Sequence, residues 1–187
     1  MPKRRVPKSI RFLKPIAAMG LLLLVAGPAL ACGNAFMYAI LFNRLPEAKA
    51  VFSADLSART TGVLAPDVWV PESGLSLHEW NRDRATAAVS DLATRLSGVT
   101  GREAGLSVLL VGELYGAEIA GSAGVGFEER NIHEQQFGFV TTTNVLRGLL
   151  DGELAWAEAV DANMVAFTTE LPEQQVIALS AAFASVN

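Results

Sequence analysis

Glu128, Glu129, His133 and Glu134 are the densest grouping of histidine and carboxylates in the chain. Side chains of these types bind divalent metals or exchange protons, but a metal site needs three or four ligands converging on one point. Glu129 and His133 share a face only on a helix, and Gly126 before them and Phe137-Gly138-Phe139 after them point to strand and loop instead. The segment is therefore read as a solvated polar loop, with a metal-dependent enzyme using His133 and Glu129 or Glu134 kept as an alternative. No metal ligand and no cofactor is assigned. His78 reads as a helix-surface residue. The chain has no Gly-x-Ser-x-Gly elbow, and Gly121, Gly124 and Gly126 are not followed by a helix opening on Lys-Ser/Thr, so they punctuate a hairpin rather than cradle a phosphate. No catalytic residue is assigned, and whether the chain is an enzyme is left open, with binding preferred to catalysis.

Cys32 is the single cysteine. It follows Lys3, Arg4, Arg5, Lys8, Arg11 and Lys14, an apolar run from Ile16 to Ala26, and Pro28-Ala29-Leu30-Ala31. A basic region, an apolar region and a small-x-small cut site are the marks of an export signal, here residues 1–31. Three outcomes stay open: ordinary cleavage leaving Cys32 as the first residue, lipid attachment to Cys32, or an uncleaved anchor. The last draws on Ile16 to Phe42, which holds no charged residue and can cross a hydrocarbon core of about 30 Å. Each outcome places the following domain in the periplasm, free or membrane-anchored. One cysteine cannot form an intramolecular disulfide, so burial must hold the fold.

Removing the signal changes the electrostatics. Six of the 15 basic residues and none of the 19 acidic ones precede Cys32, which leaves nine basic side chains against 19 acidic and a formal net charge of -10. A surface of that sign repels phosphate backbones, so nucleic acid is excluded as a partner. The remaining length suits one domain with a single core, and 51% hydrophobic residues argue against disorder.

The elements that would position any site follow from periodicity and punctuation. Residues 32–75 read as an N-terminal helical segment and connector. Asn34 caps a short apolar turn through Phe36, Met37, Ile40 and Leu41, and Pro46 opens a second helix that Gly62 ends. Val63 to Gly74, rich in proline, reads as an extended connector. Residues 76–187 read as an α+β domain. Ser76 and Glu79 have capping-box spacing, and Leu77, Ala85, Ala88, Val89, Leu92 and Leu96 recur on one face of a helix expected to end at Gly98. Leu106 to Val111 reads as a buried strand, Ala117–Ala120 and Val125–Glu129 as a hairpin, and Phe137 to Val140 as a strand. Thr143 is expected to cap a helix over Asn144 to Leu150. A short helix from Ala155 to Val160, a strand from Met164 to Phe167, and a helix opened by Pro172 and burying Val176, Ile177, Leu179 and Phe183 complete the chain. The expected fold is α+β: a small, mostly antiparallel sheet packed by amphipathic helices and preceded by N-terminal helices. Trp69, Trp80 and Trp156 serve either as core or as lining of an apolar cavity.

The segment Phe137 to Phe183 resembles the C-terminal half of sterol carrier protein type two lipid-binding domains. The resemblance rests on Phe139-Val140-Thr141-Thr142, on Val145 to Leu154 with its Asp151-Gly152 turn, on Ala157 to Val160, on Met164 to Phe167, and on Gln175 to Phe183. Asn163 occupies a place where the family pattern has glycine. The resemblance implies an apolar tunnel for a fatty-acyl or sterol-like ligand, lined by Leu146, Leu149, Leu150, Trp156, Val176, Leu179 and Phe183. The expectation is thus an exported cell-envelope protein that binds a lipid, acyl or other amphiphilic ligand without catalysis. A structural or assembly subunit docking on an envelope protein partner through Phe36, Met37, Ile40 and Leu41 is the alternative.

Overall fold

Pro46 starts the first long helix because its fixed φ suits the opening turn and its missing N–H would be unpaired there in any case. The computed structural model describes residues 36–65, 77–100, 105–119, 127–132, 136–168 and 171–184. The expected signal segment with Cys32, Asn34, most of the proline-rich connector with Trp69, Ser76, residues 120–126 with the expected glycine turn, His133 and Glu134 lie outside the described residues. The chain divides into two compact units, residues 1–40 and 41–187. Of the first, only 36–40 are described, and they are helical.

Helix α1 covers residues 36–44 and α2 covers Pro46–Thr61. The α2 helix ends at Gly62, whose φ of 77° is left-handed and free of strain only for a residue without Cβ. Ala48, Val51, Asp55 and Ala58 form its buried stripe, and Asp55 is tolerated there because Arg59, one turn on, pairs with it at 2.7 Å. Helix α3 spans Leu77–Thr100 and runs past Gly98, since a lone glycine lowers helix stability by only about 1 kcal/mol. Its apolar face, Ala85, Ala88, Val89, Leu92, Ala93 and Leu96, is buried as the spacing requires.

The sheet follows. Strands β1 (Leu106–Leu110), β2 (Tyr115–Ile119) and β3 (Phe127–Arg130) form an antiparallel meander, with Ala117 opposite both Val108 and Glu129. Chain direction then changes: β4 (Phe139–Thr141) lies parallel to β1, with Val108 beside Phe139, and β5 (Ala166–Phe167) is antiparallel to β4. The order is β3-β2-β1-β4-β5, a mixed five-stranded sheet with one parallel pairing. Helices α4 (Thr143–Asp151), α5 (Trp156–Asp161) and α6 (Glu173–Ala184) complete an α+β fold. In this C-terminal part the elements run strand, helix, Gly152 turn, helix, strand, helix.

Strand alternation separates two faces. Leu106, Val108, Leu110, Tyr115, Ala117, Ile119 and Phe139 belong to the main core, against which α3 packs from β2 and β3 across to α4 and α6. Leu109 and Val140 are buried but lie outside that core, as do Ala48 and Val51 of α2, which packs along β4 and β5. Gly116 belongs to this second face. A Cβ there would stand 2.6 Å from the Phe137 ring and 3.0 Å from the Arg130 carbonyl oxygen, so glycine leaves the room that the Phe137 ring tip takes against β2.

Three further local expectations change. The residue capping α4 is Thr142, extended at φ -117°, whose hydroxyl accepts from Val145 N–H at 3.3 Å; Thr143 is already helical. Ile177 is not buried by α6 but is 61% exposed, and Ala178, Leu179, Ala182 and Phe183 form the inward face instead. The final strand is only Ala166–Phe167, because Met164 and Val165 belong to the turn leaving α5. That turn passes through Asn163 at φ 56°, a left-handed conformation that asparagine tolerates better than other residues with a Cβ.

Candidate ligand-binding site

Five of the seven residues expected to line a ligand site are buried together. Leu146, Leu149 and Leu150 come from α4, and Leu179 and Phe183 from α6; all five belong to the main core. Trp156, at the start of α5, is half-buried and packs against that core. Val176 is half-buried in the first turns of α6 and is not part of the cluster. Residues of α4, α5 and α6 thus enter one core, where α4 and α6 pack on α3 and α5 packs on α6.

Aromatic rings connect them. Trp156 stacks on Phe183 with centroids 5.0 Å apart and planes 15° from parallel, and lies 6.0 Å from Phe167 and 6.3 Å from Phe139. Phe139 and Phe167, paired across β4 and β5, are themselves stacked at 6.0 Å. Contacts at these separations add about 0.5–1.5 kcal/mol per pair beyond burial. The indole N–H of Trp156 donates to Ser180 Oγ on α6 at 3.0 Å, so its polar edge is satisfied while the ring faces apolar neighbours. Phe139 and Phe167 were visible only as strand residues, and their part in this group depends on the β4–β5 pairing.

Arg95 reaches the same place from α3. Its guanidinium lies 5.9 Å from the Phe183 ring centroid, and Nη2 donates to the carbonyl of Leu150 at 2.6 Å, in the last turn of α4. The side chain is half-buried, and Nη1 is shielded from solvent with no hydrogen-bond partner among the described residues. Nothing in the sequence marks Arg95 beyond its place between Leu92 and Leu96 at the border of the buried face.

The acidic cluster is built differently. Glu128 and Glu129 are neighbours on strand β3, so alternation sends them to opposite faces. Glu129 pairs with Arg82 of α3, and Arg130 reaches Glu118 at 2.6 Å and Glu128 at 3.4 Å. Among the described residues no group of three or more His, Cys, Asp or Glu could hold a metal. Trp80 lies under the Arg84 guanidinium at 4.6 Å, and Arg84 donates to Asn144 at 2.7 Å, which ties the front of α3 to the start of α4. Among the described residues no helix is long and apolar enough to cross a membrane.

Comparison with known proteins gives no match to any family model, curated protein or solved structure.

Proposed function

We propose that the chain is an exported cell-envelope protein whose α+β unit binds an apolar or amphiphilic ligand and does no chemistry on it. The observation that carries this reading is the continuous aromatic group of Phe139, Phe167, Trp156 and Phe183, which runs from the sheet to the half-buried indole on α5. Ligand sites of this type are mostly apolar with few polar groups to fix orientation, and here Ser180 and Arg95 border the rings. The order of elements from β4 to α6, and the left-handed Asn163 where the lipid-binding family has glycine, also support the likeness to sterol carrier protein type two domains. Export rests on the basic and apolar segments before Cys32.

Native mass spectrometry of the protein recovered from cells, followed by lipid extraction, tests the ligand part. The expected outcome is a co-purifying lipid or acyl mass released on denaturation. Empty protein that also takes up no fluorescent lipid probe overturns it.

Docking on an envelope partner is the second reading, favoured by one observation: Phe36 is 66% exposed. The apolar face expected around it is smaller than the sequence implied, since Leu41 is buried. Replacing Phe36 with Ser should abolish co-purification of a partner if this reading holds, and leave lipid uptake unchanged.

A further inference from the structure

Helix α1 carries apolar residues on its outside. Phe36, Ala39 and Ile40 are exposed and share one side of the helix by their spacing, whereas Leu41 is the buried residue of the same element. The stripe ends at Asn43 and Arg44, both exposed. Single apolar residues on a surface are ordinary, but two features separate this stripe from exposed Leu56, Val63 and Ile177. The first is length. Residues 16–35, directly before α1, hold no charge, and twenty residues in helical form cover about 30 Å, the hydrocarbon thickness of a bilayer. A span that begins beyond Lys14 therefore ends where α1 begins. Lipid on Cys32 would bring a bilayer to the same place, because Cys32 stands only four positions before Phe36. The second is charge. No carboxylate precedes Glu47, so the acidic excess that anionic headgroups repel belongs wholly to the chain beyond α1.

We infer that Phe36, Ala39 and Ile40 face lipid in the headgroup layer on the periplasmic side of the membrane, with Asn43 and Arg44 marking the return to water. This rests on the export reading above and adds the surface through which the exported chain meets a bilayer. From Phe36 to Asn43 a helix rises about 10 Å, enough to cross an interfacial layer about 5–8 Å deep on each side of the hydrocarbon. The side chains follow that order: an aromatic ring first, a β-branched aliphatic one turn on, then an amide and a guanidinium. Two large apolar side chains bind a bilayer only weakly by themselves, so the face works together with the anchor that precedes it, whether an uncleaved span or lipid on Cys32.

The test uses the full chain purified from cells and reconstituted into vesicles of phosphatidylethanolamine and phosphatidylglycerol, part of the latter carrying a diazirine near the top of its acyl chain. Illumination is expected to attach lipid to residues 36–40 and not to 43–44, as mapped by peptide mass. Phe36→Asp combined with Ile40→Asp should lose most of that yield and leave the thermal melt in place, since both side chains are exposed. Undiminished yield in the double variant, or a vesicle-bound chain with no lipid on α1, overturns the lipid-facing helix and leaves export standing. So does a soluble, unlipidated chain that begins at Cys32. Lipid that reaches α1 only after a tightly bound protein has been stripped away decides for a protein partner instead. Export is read separately with protease added to spheroplasts: a chain cut only after lysis has not been exported, and both readings then fall.

Discussion

At the β3 edge of the sheet Arg82 holds Glu129 and Arg130 holds Glu118 and Glu128, whereas around β4 and β5 four aromatic rings meet and the Arg95 guanidinium beside them has, among the described residues, only a carbonyl as its acceptor. The two regions carry their polar groups for different ends. Charges at the β3 edge compensate each other in contact with water, where such pairs contribute about 0–1 kcal/mol each and leave little to offer a ligand. The β4–β5 side puts its stability into ring burial and leaves a donor unspent. The carboxylates that draw the eye in Glu128-Glu129 are the ones already matched by arginines.

If the aromatic side carries the stability, removing its central ring must have the largest effect. Phe139 is fully buried, pairs with Val108 on one side and Phe167 on the other, and touches Trp156. Phe139→Ala is expected to lower the unfolding free energy by about 3–5 kcal/mol in urea denaturation. A loss below about 1 kcal/mol would mean that the rings are loosely held, and the contrast between the regions would collapse.

A smaller change tests how α4 is seated over those rings. The Thr142 hydroxyl accepts from Val145 N–H at the start of the helix that carries Leu146, Leu149 and Leu150. Thr142→Ala should lose about 1 kcal/mol, read from the urea midpoint, whereas Thr143→Val, at a position whose hydroxyl has no partner among the described residues, should lose less.

Tyr115 lies between the two regions: its ring is in the main core and its hydroxyl meets Thr86 at 3.4 Å. Burial is the main reason its phenol pKa stands above the ordinary value, with the Glu129 charge acting in the same direction and Thr86 and Arg82 opposing. The folded state therefore holds this proton more tightly than the unfolded chain does. Its contribution is complete below the ordinary phenol pKa of about 10 and is lost as pH rises through the higher folded-state value. Tyr115→Phe should flatten the alkaline decline of the melting temperature and change neutral stability by well under about 1 kcal/mol. An alkaline limb as steep as that of the wild type would exclude Tyr115 as its source.

How far the sequence discloses these regions depends on the range of the interactions. The α3 stripe from Ala85 to Leu96 and the apolar run of β1 are local patterns, and both are found where periodicity puts them. Pairing of β4 with β1 is not local: Phe139 and Val108 are 31 residues apart, and nothing in either strand states that they run parallel. Ile177 lies outside the expected buried face for a related reason. Helix α6 is apolar on more than one side, so periodicity alone cannot say which side meets α3. Thr141, Thr142 and Thr143 are chemically equal candidates to cap α4, and only backbone geometry selects Thr142. The candidate site is partly legible in the same way. Leucines at 146, 149 and 150 follow helical spacing, but Arg95 carries a side chain whose usual place is solvent, and its position beside Phe183 exists only after α6 has docked.

The finest test of the contrast is the substitution expected to do least. Glu129 is 45% exposed and Arg82 is 55% exposed, so their contact exchanges one well-hydrated arrangement for another and orders two long side chains in the process. Glu129→Gln keeps the shape of the side chain, retains an acceptor for Arg82 and removes the charge. The expected change in unfolding free energy is within about 0.5 kcal/mol, shrinking further in high salt because the pair is open to screening. A loss several times larger that persisted in salt would mean that Glu129 does more than face Arg82 across water. The β3 edge would then be a site in its own right, and the preference for the aromatic side would have to be withdrawn.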